Sequence, residues 1–365
     1  EAHIETMESS VISGDVVFQL YDTYGFPIDL TADCARERNL TVDHAGFDIA
    51  MAAQRERARG AKNFGDGYNQ TIKLDAKTEF TGYQQLNRQS KIIALFQNGA
   101  AVDFIAEGAD GVVVLDATPF YGESGGQAGD TGRIEVDGVV FEVSNTLKQG
   151  GDLFLHVGKV LFGSLKAGVT CNAMVEPSSR LASALNHSAT HLLHAALRQV
   201  LGDHVTQKGS LVNTERLRFD FSHFEPVKAE EIKIIERIVN QQIRHNTAVT
   251  ADVMSKDDAV SAGAMALFGE KYGDEVRVLK MGDFSTELCG GTHAERVGDI
   301  GLFKIVSETG VASGVRRIEA LTGEPAMHWL EEREAAMQSI ADVVKAAPEM
   351  AAEKVQQLLE KTKGL

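Results

Sequence analysis

Two short segments carry the residues with the most chemistry to offer. In HSATHLLH, His187 and His191 stand four apart. On a helix this spacing projects both imidazoles from one face about one turn apart, where they can share an ion. Taken alone, such a pair is more often solvent-facing or hydrogen-bonded than metal-binding. In ELCGGTH, Cys289 and His293 flank Gly290 and Gly291. The glycines permit a tight backbone turn able to bring a thiolate and an imidazole to one point. His187, His191, Cys289 and His293 together form a borderline-soft donor set suited to Zn²⁺, one ion per chain. Residue types leave the role of that ion open. A closed site of four donors only holds a fold together, whereas chemistry needs an open position at which zinc either activates water or orients a substrate. His194, one turn beyond His191, reads as a packed neighbour and not a ligand.

Other segments offer less. PFYGESGGQAGDTG, from Pro119 to Gly132, lacks the Lys-Ser/Thr ending of a phosphate-binding loop and the spacing of a dinucleotide fingerprint. It is either a hairpin turn or a loop that sets backbone N–H groups and Gln127 near a substrate. No nucleophile elbow supports a serine hydrolase. Ser188 stands where an HExxH metalloprotease has its glutamate, which argues against a zinc peptidase. Gln207, Lys208 and Ser210 in VTQKGS follow the histidine segment closely, either lining its pocket or forming a polar turn.

The scaffold around these residues reads as that of an ordinary globular chain. It has 365 residues, 43% hydrophobic and 24% charged, enough for roughly two or three domains. The net charge of −16 opposes strong unaided binding to a nucleic-acid backbone, so any RNA must be held locally or by further parts. Cys34, Cys171 and Cys289, odd in number and widely spaced, argue against a disulfide framework and for a reducing compartment, the cytoplasm by default. No signal peptide or membrane-spanning stretch is evident. The chain opens on Glu1 within helix-like sequence and stops at Leu365 within a charged helical pattern, as a piece of something larger would.

The fold class predicted is α+β in four parts. Residues 1–75 form a helical segment with apolar positions at Val17, Leu20, Tyr21 and Tyr24, a break at Gly25 to Pro27, and a run from Asp43 to Lys62. Residues 76–176, with KIIALF, GVVVLDATPF, GRIEVDGVVFEV and LFLHVGKV between turn signals, form a small β-barrel. Residues 177–323 form an α+β domain that holds the zinc ligands. Pro177 and the two serines after it mark and cap its first helix, whose buried stripe is Leu181, Leu185, Leu192 and Ala196. A second helix spans Ala229 to Ile243, and RLRFDFSHF, EVRVLKM, GLFKIVSE and RRIEALT read as strands. Residues 324–365 form charged helix divided by Pro348 and leading into an absent part.

Taken in order, LYDTYGFPIDLT (20–31), GESGGQAGDTG, HSATHLLH, KGSLV, RFDF, CGGTH and GVRRIEALTG resemble the middle part of the alanyl-tRNA synthetase family, over essentially the whole chain. LYDTYGFP favours a synthetase over the free-standing alanyl editing proteins that share this fold. CGGTH together with GESGGQ argues against the threonyl enzyme. The resemblance implies an end of the tRNA-recognition region, a barrel and an editing domain that hydrolyses the ester of seryl- or glycyl-tRNA(Ala). It carries the ligands over as His187, His191, Cys289 and His293, at the centre of the hydrolytic site, and implies the acceptor end of tRNA(Ala) as partner and no use of ATP. A pocket selected for alanine cannot strongly exclude glycine or serine, so a second sieve is needed. A hydrogen-bond partner for the serine hydroxyl would make that sieve prefer serine. Thr190, Gln207 and Ser210 are candidates, with Gln127 on the glycine-rich loop, although Thr190 reads equally well as back-bonded within its helix. Arg316 and Arg317 are candidates for tRNA phosphates, at most one per site, since neighbouring strand residues face opposite ways. The alternative function is a tRNA acceptor-stem binding module with a purely structural zinc. A zinc hydrolase for another ester is a third. A monomer is the default expectation.

Overall fold

The computed structural model describes residues 10–24, 28–36, 38, 40–51, 72–265 and 273–363. At the N-terminal end, helices Gly14–Tyr24 and Ile28–Arg36 and helical residues 44–51 gather around a small core of Ile12, Val17, Ala35 and Phe47. The break read at Gly25 to Pro27, and the run from residue 52 to Lys62, lie outside the described residues.

A six-strand antiparallel barrel follows. Its strands are Asn87–Gln97, Asp110–Leu115, Gly132–Val136, Val139–Gln149, Leu153–Phe162 and Thr170–Val175. The last pairs with both Asn87–Gln97 and Gly132–Val136, which closes the sheet and removes its edges. Asp137 and Gly138 both take left-handed backbone, φ 44° and 85°, as a two-residue hairpin requires, and so fix the register of Gly132–Val136 on Val139–Gln149. Inward-facing Ile92, Leu95, Val113, Ile134, Phe141 and Val160 fill the barrel. Each contributes about 1.5–3 kcal/mol by leaving water. This is the small barrel expected from the alternating strands.

The α+β part is a four-stranded antiparallel sheet, ordered Gln207–Val212, Leu217–Ser222, Val315–Thr322, Phe303–Ala312, with helices Pro177–Leu201 and Ala229–His245 against it. A separate three-stranded sheet, Val249–Ser255, Glu275–Met281 and Ser285–Leu288, leads directly into Cys289. Phe219, Phe221, Phe303 and Ile318 from the sheet meet Leu192, Ala196, Ile235 and Val239 from the helices in one core.

Several local expectations change. Pro177 takes the first helical position, but the cap is Glu176, whose carboxylate accepts from Ser178 N at 3.5 Å, and not one of the serines. Leu181 is 54% exposed and does not join the buried stripe. The helix is enclosed on all sides only from Asn186 to His194. The VTQKGS segment forms an edge strand instead of a polar turn. Helices Gly323–Val344 and Ala351–Lys363 are the last of the described elements, with a single turn Pro348–Met350 between them. Among the described residues no helix is long and apolar enough to cross a membrane.

Candidate metal centre

The helix Pro177–Leu201 carries His187 and His191 on one face, and Cys289 and His293 arrive on the turn that follows Ser285–Leu288. One ligand atom from each of the four lies within 4.8 Å of every other. The Cys289 Sγ stands 3.5 Å from His187 Nε2 and 3.3 Å from His293 Nε2. A tetrahedral zinc with Zn–N of about 2.0–2.1 Å and Zn–S of about 2.3 Å holds N and S about 3.5 Å apart. The donor set therefore fits the ion in type and in spacing. A second observation agrees: His191 Nε2 is buried with no hydrogen-bond partner and needs an acceptor or a cation in front of it.

Each imidazole is fixed from behind through Nδ1. His187 Nδ1 lies 2.7 Å from Gln127 Oε1, His191 Nδ1 lies 2.8 Å from Glu287 Oε2, and His293 Nδ1 lies 3.3 Å from Ser188 Oγ. With Nδ1 committed to an acceptor, Nε2 faces the centre, the usual arrangement of histidines on a metal. Glu287 also lies 3.5 Å from His194 Nδ1, which places His194 behind the cluster, packed on Phe219.

The electrostatics follow from this enclosure. Burial opposes a charge on Cys289, but His187, His293 and His191 outweigh it and hold the thiol well below its ordinary range. Burial likewise opposes ionisation of Glu287, and His191 outweighs it, keeping the carboxyl below its usual range. Burial pulls His191 down, yet Glu287 and Cys289 raise it to about 10, whereas burial lowers His293 to about 3. The cluster thus collects two negative groups that call for positive charge at its centre. A divalent cation there would take over the role of the His191 proton.

The two glycines of the turn have a different reason from the one read in the sequence. Neither takes left-handed backbone. A Cβ on Gly291 would lie 2.1 Å from His187 Cε1 and 2.8 Å from Gln127 Oε1, whereas one on Gly290 would meet only the Tyr83 hydroxyl at 3.9 Å. Gly291 is therefore a close-approach glycine. The turn is pinned by Arg277, which donates Nη1 to the carbonyls of Cys289 and Gly291 at 3.0 and 3.1 Å, and by Tyr83, whose hydroxyl donates to Gly290 O at 2.5 Å.

The glycine-rich loop leaves the barrel and docks on the α+β part: Ala128 N donates to Val212 O, and Val212 N to Gly126 O, at 2.8 and 2.7 Å. Arg180, buried in the histidine helix, anchors the same loop through Asp130 and the Pro119 carbonyl, and also donates to Gly82 O. Gln127 is fully buried, and its amide is spent on His187 and Thr292: Oε1 accepts from Thr292 N at 3.0 Å and Nε2 donates to Thr292 Oγ1 at 2.8 Å.

The other residues picked out from the sequence make no hydrogen bond to the four donors among the described residues. Thr190 is buried and its hydroxyl donates to Asn186 O at 2.9 Å, back-bonded within the helix. Gln207 and Ser210 are half-buried on the edge strand, and a Cβ on Gly126 would reach Ser210 O at 2.6 Å. Arg316 is held by Glu308 at 2.6 and 2.8 Å, and Arg317 by Asp220 at 2.6 and 2.8 Å, so both guanidiniums already serve carboxylates. Beside this group of four donors lies a cleft of about 550 Å³ reaching His187, Cys289, Gly290 and Gly291 from the barrel side. Sequence reasoning misses Glu287, Tyr83 and Arg277. Only Glu287 leaves a trace, two residues before Cys289 in a strand and so on the same side of the chain.

Comparison with known proteins adds family evidence. Residues 1–179 match the family described as tRNA synthetases class II (A), and residues 276–319 match the threonyl and alanyl tRNA synthetase second additional domain. The chain is 62% identical over 362 residues to an alanine-tRNA ligase of Methylococcus capsulatus, covering 99% of this chain and 42% of that protein. It is 56% identical to an alanine-tRNA ligase of Shewanella loihica (99% and 41%) and 55% identical to one of Pseudomonas entomophila (100% and 42%).

Proposed function

Because the chain belongs to the alanyl-tRNA synthetase family, and spans 41–42% of the length of the relatives it matches, we propose that it is the editing part of such an enzyme. Its reaction would be hydrolysis of the ester of seryl- or glycyl-tRNA(Ala), releasing the amino acid and the tRNA. The observation that carries this reading is the convergence of three imidazoles and a thiolate, each imidazole fixed from behind, at the end of an open cleft.

His187, His191, Cys289 and His293 would hold one zinc, and a bound zinc would supply Lewis acidity beside the ester. The remaining groups orient and select. Gln127, Glu287 and Ser188 keep the Nε2 atoms facing the centre. Glu287, ionised and bonded to His191, holds no proton to give and acts by fixing that ring. Of the residues considered for serine recognition, Thr190 and Gln127 have their polar atoms engaged. Gln207 and Ser210 make no side-chain hydrogen bond among the described residues, and Ser210 backs onto Gly126 beside cleft-lining Gly125. We assign the serine hydroxyl to these two. Alanine would leave them unpaired and so be spared.

A deacylation assay with serine-charged tRNA(Ala) tests the reading, comparing the intact chain with Cys289→Ala after circular dichroism shows both folded. Hydrolysis by the first and its loss in the second is the expected result; equal rates sink the proposal. The donor set itself favours one alternative, since four converging donors also make a closed structural site. On that reading the chain binds the acceptor stem and hydrolyses nothing.

A further inference from the structure

The cleft beside the metal cluster has a wall that the hydrolytic chemistry does not use. Phe80 and Phe154 stack with ring centroids 5.6 Å apart and planes 5° from parallel. Tyr83 and Tyr121 meet Phe80 edge-on at 4.9 and 6.1 Å. All four rings line the same cleft as His187 and Cys289. Phe154 and Tyr121 are buried, Phe80 is partly open, and Tyr83 is 47% exposed, so the aromatic surface offered to a ligand is that of Phe80 and Tyr83. Lys148 stands on the same wall with Nζ 5.5 Å from the Phe154 ring centroid. The one carboxylate on this lining, Asp152, is paired with Lys77 at 2.8 Å. Gly122, Gly125, Gly151, Gly290 and Gly291 make up much of the rest, so a flat ligand can approach the backbone closely.

We propose that Phe80, Tyr83 and Lys148 form a subsite for the terminal nucleoside of an RNA 3′ end, its base on the rings and its 5′ phosphate toward Lys148. The inference rests on the deacylase reading, which requires the ester-bearing ribose to lie within one nucleoside of the metal cluster. A planar base is the natural occupant of an aromatic wall, because every base has a π-face and stacking is tolerant of sequence. In a chain of net charge −16, a lysine on this wall is the local cation that phosphate binding needs. The Arg277 guanidinium, 4.2 Å from the Tyr83 ring centroid, fixes that ring and ties the subsite to the Cys289–Gly291 turn.

The test is equilibrium binding of the trinucleotide CCA, which carries no ester and is not consumed. Wild type, Phe80→Leu and Lys148→Gln are compared by calorimetry, with zinc content and thermal melting as controls for folding. Each substitution is expected to weaken CCA binding about tenfold, leaving zinc content unchanged. Lys148→Gln should also reduce the salt dependence of binding by about one phosphate contact, near 0.7 in the log–log slope. Wild type that does not bind CCA, or variants that bind it as wild type does, would overturn the subsite. The two readings fail separately. CCA binding that depends on Phe80 and Lys148 without hydrolysis of seryl-tRNA leaves the subsite and removes the deacylase; hydrolysis with CCA binding indifferent to both residues does the reverse.

Discussion

Replacing Gln127 with leucine keeps the volume of the side chain and removes the group that orients His187. In the native chain Oε1 accepts from Thr292 N at 3.0 Å and lies 2.7 Å from His187 Nδ1, and Nε2 donates to Thr292 Oγ1 at 2.8 Å, all fully buried. Leucine leaves two buried N–H groups without acceptors, each costing about 1–3 kcal/mol. The His187 share of that cost falls on metal binding, because the ring loses both its tautomer preference and its orientation. Loss of such a partner lowers metal affinity about 10–100-fold. Thr292→Val removes only the bond to Oγ1 and leaves Oε1 in place, so its effect on affinity should stay within about fivefold. Competition for zinc against a chromophoric chelator at neutral pH reads both. Gln127→Leu binding zinc as tightly as wild type, or Thr292→Val matching its loss, would show that the amide oxygen does not orient His187.

Three further outcomes follow from the same geometry. Gly291→Ala should lose zinc and Gly290→Ala retain it, by elemental analysis, since the added Cβ meets His187 Cε1 at 2.1 Å in the first and nothing closer than 3.9 Å in the second. His156 is wholly buried in the barrel, its Nδ1 2.9 Å from Val113 O, and burial lowers it to about 4, below the ordinary 6.5. The unfolded chain therefore binds the proton first as pH falls, and the His156 contribution, complete above 6.5, drops by about 3 kcal/mol between pH 6.5 and 4, a slope that urea melts should show and His156→Gln should remove. Cys34, exposed, should react with a thiol reagent in the native protein, whereas Cys171, buried and pushed up to about 12, should not, and Cys289 should react only after a chelator is added.

Much of the scaffold was legible because its signals are local. The barrel strands alternate inward and outward residues between Gly and Asp turns, and EVRVLKM coincides with the strand Glu275–Met281. The histidine pair was legible because a four-residue helical spacing dictates a shared face, and the rings do stand 5.1 Å apart. Strand Val249–Ser255 carries no strand signal in the sequence, because it is mostly exposed and lacks apolar alternation. Gln207–Val212 was hidden by its polar edge-strand composition. Gln127 and Tyr83 were beyond reach for another reason: their bonds to His187 and Gly290 span 60 and 207 residues and exist only once the barrel's loops dock on the α+β part. Leu181 fits the helical stripe in sequence but lies at its N-terminal end, before the helix becomes enclosed.

On the proposed function, His187, His191, Cys289 and His293 hold one zinc at a hydrolytic centre. X-ray absorption on protein carrying its native metal, with serine-charged tRNA(Ala) deacylation measured on the same sample, reads both halves of that statement. One zinc per chain is expected, with three nitrogens at about 2.0–2.1 Å and one sulfur at about 2.3 Å, and activity lost when the metal is removed. Metal-free protein with full deacylase activity, or a zinc shell without sulfur, would remove this centre from the reaction.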